Sequence, residues 1–147
     1  MNTNLVSQLV IAATKPEVFT YLSNLSYHHL WNPHLLTITP KSKIKLGTTY
    51  RTSSLLLGVR VRGANKVTKF IPDKEVEIQN TTGALKYRVN YCLEAGSDGK
   101  TLIACTTSIS STGEAFAFAA PVLKLLARRE IQADLQALKI AVEQQLE

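Results

Sequence analysis

The 147-residue chain is predicted to be an α+β protein. A curved antiparallel sheet of about seven strands would wrap around a long C-terminal helix, with two short helices between strands one and two. Three observations lead there. From Leu35 to Ile109 every signal is strand or turn. From Glu114 onward the only strong breaker is Pro121, while Ile131, Leu135, Leu138, Val142 and Leu146 recur at steps of three and four, one face of a helix. A sheet with one wet face needs its other face covered, and this helix is the only element long enough to cover it. Residues 1–147 are read as one domain, since the length allows one sizeable core and not two.

The elements follow in order. Leu5 to Ala12 holds Val6, Leu9, Val10 and Ile11 and reads as a first strand. Thr14 caps a helix, with Pro16 in its first turn and Glu17 three residues after the cap, a capping box. That helix runs through Val18, Phe19, Tyr21 and Leu22 and yields near Asn24 to Ser26; Tyr27 to Trp31 forms a second short turn closed by Pro33. Leu35 to Ile38 is a short strand stopping at Pro40. Thr48 to Leu57 and Val59 to Ile71 pair as a hairpin at Gly58. After the turn Pro72-Asp73-Lys74, Val76 and Ile78 alternate with Glu75, Glu77 and Gln79. Leu85 to Leu93 alternates apolar with Lys86, Arg88 and Asn90. Gly96 to Gly99 turns the chain into Thr101 to Ser110.

The last helix has a second character in its first half. Arg128, Gln132, Gln136, Lys139 and Glu143 give the later half a wet side. Earlier, Phe116, Ala120, Leu123 and Ala127 make one apolar stripe and Phe118, Val122 and Leu125 a second, opposite one. A helix apolar all round must be covered, line a cavity, or meet a partner or membrane. Pro121 either starts the regular helix or kinks it.

Composition bounds the function classes. A hydrophobic content of 45% with 19% charged residues is that of a globular chain. No apolar run is long enough to span a bilayer, and Met1-Asn2-Thr3-Asn4 does not start a signal peptide, so a cytoplasmic location is expected. The net charge is +6, but its basic residues are dispersed, so no specific nucleic acid is expected as partner. An acidic ligand or peripheral contact with anionic lipid would account for them equally well. Nothing matches a phosphate loop, dinucleotide fingerprint, nucleophile elbow or zinc motif, so neither cofactor nor metal is expected.

Several motifs together resemble the START-related helix-grip (SRPBCC) superfamily, in its polyketide cyclase/dehydrase-like bacterial branch. They are Val10-Ile11-Ala12-Ala13 with Pro16-Glu17-Val18-Phe19, then Trp31-Asn32-Pro33, Leu46-Gly47-Thr48-Thr49-Tyr50 and Phe70-Ile71-Pro72-Asp73. The tail Arg128-Arg129-Glu130, Asp134-Leu135, Leu138-Lys139 and Glu143 completes the set, and the resemblance covers nearly the whole chain. It implies a cavity between sheet and long helix. Loops around Leu55-Leu56-Leu57-Gly58 and Asn80 to Ala84 would flank its mouth. It leaves the chemistry open, since such proteins bind lipids, hormones, polyketides or quinones.

Candidate residues are weighed against plain core packing. Tyr87, Val89 and Tyr91 share an inward face, with Thr106 and Ser108 placed inward on the next strand and Tyr50 and Thr52 joining them. Apolar walls with a few hydroxyls suit an orienting pocket, although tyrosine is also common in sheets. The ligand-binding set is thus Trp31, Tyr50, Leu56, Tyr87, Tyr91, Thr106, Phe116, Leu123 and Ala127. Glu130 is the single acid worth testing for catalysis; for Glu130 and Asp134 a rim salt bridge is the favoured reading over a buried acid. His28, His29 and His34 cluster without further ligands, which speaks against a metal site. Arg51, Arg60, Arg62 and Lys66 form a basic stripe, solvated by default. Cys92 and Cys105 would sit opposite each other across the Gly96–Gly99 hairpin, more simply as packed thiols than as a bridge.

The first functional reading is binding, transport or sequestration of a hydrophobic or amphipathic small molecule, by a monomer or homodimer. The second is a cyclase/dehydrase-like enzyme in which Glu130 or a tyrosine moves a proton. The third is a protein- or membrane-interaction module using Phe118, Val122, Leu125 and the leucine tip.

Overall fold

The computed structural model describes residues 2–56, 59–80, 82, 85–111 and 120–145, with side chains for 4–55, 60–80, 82, 86–110 and 124–145. Seven strands form one antiparallel sheet: β1 (Asn2–Ile11), β2 (Leu35–Thr39), β3 (Thr49–Leu56), β4 (Val59–Ile71), β5 (Glu75–Asn80), β6 (Leu85–Ala95) and β7 (Thr101–Ser111). Their order is β1-β7-β6-β5-β4-β3-β2. From β2 onward each strand pairs with the next along the chain, so short connections suffice; only β1 crosses over, to pair with β7. Helices α1 (Lys15–Leu22) and α2 (His28–Trp31) occupy the crossover, joined by a 3-10 turn at Leu25–Tyr27. Helix α3 (Ala120–Gln145) follows β7 and lies in the curve of the sheet.

Local chemistry explains the element ends. The Thr14 backbone N–H and hydroxyl both donate to Glu17 Oε1, at 3.2 and 2.6 Å, which holds the first turn of α1 closed. Before β3, Gly47 has φ +87°, where a side chain is strained. Pro121 stands at the start of the described part of α3; whether it begins the helix or kinks it rests on residues 112–119, which lie outside the described residues.

The core lies between the sheet and α3. Leu135, Leu138 and Val142 are buried, while Gln132, Gln136 and Arg128 face water, as their spacing predicts. They meet Ile11, Val67, Val76 and Ile103 from the sheet and Val18, Leu22, Leu25 and Trp31 from the crossover. Each fully buried aliphatic side chain contributes up to about 1.5–3 kcal/mol. Two polar ties fix the far end of α3. Lys139 Nζ donates to the Val10 carbonyl at 3.2 Å while pairing with Glu143, and the Tyr21 hydroxyl donates to Gln145 Oε1 at 2.6 Å.

The cysteines require a correction. In the β6–β7 hairpin Cys92 pairs with Ala104, and Cys105 with Tyr91. A one-residue offset sends the two side chains to opposite faces of the sheet. Both thiols are free, Cys105 buried and Cys92 half-buried.

Candidate functional site

A cavity of about 240 Å³ lies between the sheet and α3. The period-two alternation of the strands builds its sheet wall. Tyr50, Asn65, Asn80 and Tyr87 are consecutive cross-strand neighbours, so they form a polar row across β3, β4, β5 and β6 on the cavity side. Around that row the wall is apolar and aromatic, with Ile38, Val61, Ile78, Val89, Tyr91 and Ile109 from the sheet, Trp31 from α2, and Ala127, Ile131 and Leu135 from α3.

Part of the polar row is locked. The Tyr87 hydroxyl donates to Asn65 Oδ1 at 2.8 Å, and Asn65 Nδ2 donates to Thr52 Oγ1 at 3.0 Å. Asn65 thus links Tyr87 to Thr52. Asn80 Oδ1 accepts from the Thr82 backbone and hydroxyl, both at 3.1 Å. Gly63 makes this close packing possible: a Cβ there would stand 3.3 Å from both Asn80 Nδ2 and Thr52 Oγ1. Tyr50 and Tyr91 differ. Their hydroxyls carry no hydrogen bond to any described residue, although both side chains are more than nine-tenths buried and line the cavity. Burial raises all three phenols, Tyr87 to about 12.

The helix wall supplies the acids. Glu130 and Asp134, one turn apart on α3, both line the cavity. The rim salt bridge expected for them is not there: the ion pairs among the described residues are Lys69–Glu75 and Lys139–Glu143. The helical register turns both carboxyls inward, toward a wall to which no described lysine or arginine contributes. Burial, and then the like charge of Glu130, raises Asp134 from 3.8 to about 8. Burial also raises Glu130, opposed by nearby His34. Asp134 lies close enough to Tyr91 and Cys105 for its charge to act on both.

The cavity gathers Trp31, Tyr50, Tyr87, Tyr91, Ala127 and Glu130 from the residues singled out in the sequence. Thr106 is misplaced. It is exposed and pairs with Asn90, and Ser108 pairs with Arg88, because the hairpin register puts Cys105, Thr107 and Ile109 on the cavity face. Leu56 and Leu123 side chains, Phe116, Phe118, the Val122 side chain and the Leu57-Gly58 tip lie outside the described residues. Leu55 and Leu125 are exposed. Asn65, Asn80, Thr107 and Asp134 are lining residues that sequence reasoning did not propose as ligand contacts. The two asparagines are signalled in the sequence by falling on the inward phase of Val61-Gly63-Asn65-Val67 and Val76-Ile78-Asn80.

The other candidates resolve outside a site. His28 is buried against Trp31, with Nε2 3.0 Å from the Leu22 carbonyl, and burial lowers it to about 4, so it is neutral and donates there. Among the described residues no three His, Cys, Asp or Glu side chains could hold a metal ion together. The Trp31 indole donates to the Tyr21 carbonyl at 3.2 Å and meets the Tyr91 ring edge-on at 5.6 Å. Arg51, Arg60, Arg62 and Lys66 are none of them lining residues of the cavity. No described helix is long and apolar enough to cross a membrane.

An antiparallel sheet curled around one long helix, with a lined cavity between them, defines the helix-grip class of folds to which START-type ligand-binding proteins belong. Within it, the chain belongs to the family described as polyketide cyclase / dehydrase and lipid transport, whose model matches residues 3–143. No curated protein matches it by sequence. Its structure is similar to that of TTHA0849 from Thermus thermophilus, with TM-score 0.86 and 13% identity over 99% of this chain and 100% of that one. It is similar to the Zhui aromatase/cyclase from Streptomyces sp. R1128, with TM-score 0.86 and 13% identity over 100% and 97%. A START superfamily protein from Mycobacterium smegmatis matches with TM-score 0.79 and 14% identity over 96% and 97%. At these identities the likeness is one of fold.

Proposed function

We propose that the chain binds a mostly apolar small molecule with a polar end, held between the sheet and α3. The observation that carries this is the cavity wall itself. Aliphatic and aromatic side chains supply most of it, and a short polar row crosses it at one level. Such a wall gains from desolvating an apolar body and uses a few polar groups to orient it. Trp31, Tyr50, Tyr87, Tyr91 and Ala127 are the contacts we propose. Trp31 is the sole tryptophan and reports on the cavity directly. Native mass spectrometry of protein purified from its host is expected to show a retained apolar ligand. Titration with medium-chain alcohols is expected to shift Trp31 fluorescence saturably. Absence of both a retained mass and any saturable shift refutes the reading.

One observation favours proton transfer in the same cavity, as in a cyclase/dehydrase-like enzyme. Asp134, held protonated to about 8, stands near the Tyr91 phenol, the arrangement a general acid needs near neutral pH. On this reading Asp134→Asn abolishes turnover of a retained ligand while the ligand still binds. Turnover that survives in both Asp134→Asn and Glu130→Gln leaves the acids without a catalytic part.

A further inference from the structure

We propose that Glu130 and Asp134, which line the cavity together with Trp31, Tyr50 and Tyr91, form a subsite for an organic ammonium group at the polar end of the cavity's ligand. The proposal rests on the apolar-ligand reading above and specifies the ligand's head. Two carboxyls one turn apart repel each other and destabilise a helix unless something offsets them. Here no basic side chain is bonded to them: neither has a hydrogen bond or ion pair to a described residue, and no described lysine or arginine lines the cavity. The absence is selective, since the chain has 17 Lys and Arg against 11 Asp and Glu. Carboxylate or phosphate heads would meet the two acids, with His34 beside Glu130 and no described lysine or arginine to receive them, so their entry is disfavoured.

A second feature points to the same head. The Tyr50 and Tyr91 hydroxyls line the cavity more than nine-tenths buried and unpartnered by described residues, so their oxygens can accept from N–H donors. The rings of Trp31, Tyr50 and Tyr91 line the same cavity, and aromatic faces also attract a desolvated cation. An ammonium would therefore gain carboxylate bonds, hydroxyl bonds and ring contacts together. The groups facing Asp134 are Glu130 from its own helix, Tyr91 and Cys105 from the strands, and, around Glu130, His34 and Tyr87. Among these Asp134 holds its proton to about 8 when no cation is present, and a cation would displace that proton. Binding of an ammonium must then tighten as pH rises from about 6 to 8.5.

The test uses three probes of equal chain length, decylamine, decanol and decanoate, titrated against Trp31 fluorescence at about pH 6, 7 and 8.5, across the range in which Asp134 titrates. Decylamine stays protonated throughout. The expected result is that decylamine binds about 10- to 100-fold more tightly than decanol, as charge-assisted bonds predict, with decanoate weakest. The amine-to-alcohol ratio is expected to grow with pH in the native chain and to collapse toward one in Glu130→Gln/Asp134→Asn. The proposal is overturned if decanol or decanoate binds as tightly as decylamine, if the ratio falls with pH, or if it survives in the double variant. The pH series on the native chain decides the matter even where the double variant does not fold. If no probe binds, the cavity reading falls as well; if decanol binds without an amine preference, the ammonium assignment alone falls.

Discussion

Replacing Asp134 by asparagine should invert the pH dependence of stability. An unfolded chain ionises aspartate near 3.9, whereas folded Asp134 holds its proton to about 8. Between those values the folded state carries the extra proton, so the stability is fully present at the acid end and is lost as pH rises toward 8. At about 1.4 kcal/mol per pH unit, the rise from 3.8 to about 8 sets an upper limit of about 6 kcal/mol. That limit is of the same order as the whole stability of a small domain. His28 works the other way. Burial lowers it from 6.5 to about 4, so its contribution, up to about 3 kcal/mol by the same conversion, is present above 6.5 and lost as pH falls toward 4. For these two groups the slopes nearly cancel between about 4 and 6.5 and leave a fall from 6.5 to 8, to which Glu130, also raised by burial, adds in both proteins. In Asp134→Asn the cancelling partner is gone, so the His28 contribution should rise from about pH 4.5 to 6.5 and then level. Urea unfolding of both proteins at about pH 4.5, 6.5 and 8.5 reads the difference, expected to widen in the variant's favour by up to about 5 kcal/mol across the series. Parallel profiles for the two proteins would refute the premise that Asp134 is buried against a second acid.

Other perturbations separate scaffold from cavity. Leu138, fully buried where α3 meets the sheet, should cost about 2–5 kcal/mol on mutation to alanine, read as a lower urea midpoint; a loss under about 1 kcal/mol would mean α3 is not seated as described. Gly63→Val drives methyl groups toward Thr52 and Asn80 and should cost about 1–3 kcal/mol by overpacking while weakening decanol binding at least about tenfold; unchanged binding would remove the polar row from the site. Alkylation at about pH 8 should modify Cys92 and spare Cys105, whose thiol burial pushes up to about 12. Mass spectrometry showing equal labelling of both in native protein would contradict their placement on opposite faces.

The element order was legible because alternation and breakers are strong in this chain. Tyr87, Val89 and Tyr91 alternate against Lys86, Arg88 and Asn90, so their shared face could be read without coordinates. The next strand could not be phased that way. In β7 the cavity side carries Thr101, Ile103, Cys105, Thr107 and Ile109, and the other carries Leu102, Ala104, Thr106, Ser108 and Ser110. Both faces mix polar with apolar, so only the hairpin register decides, and a one-residue slip misplaced both Thr106 and the cysteine pair. Asn65 and Asn80 are hard to read for a related reason: a polar residue on an inward phase looks like a solvated one until its neighbours close around it. The acids illustrate the limit most clearly. Glu130 and Asp134 sit at the margin of an apolar stripe, and whether such a margin is wet depends on Tyr91 and Cys105, which reach it from strands distant in sequence.

The opposition of sign between shell and cavity has a kinetic consequence. A chain of net charge +6 presents an approaching cation with repulsion that ionic strength screens over about 8 Å under physiological conditions. Past the mouth, the same cation meets two carboxyls and no lysine or arginine among the described lining residues. Cations thus face a barrier outside a well. Added salt lowers the barrier and leaves the sheltered well almost untouched, so arrival and departure both quicken with ionic strength while affinity hardly changes. Exchange of a cation would then be slow in both directions at low salt.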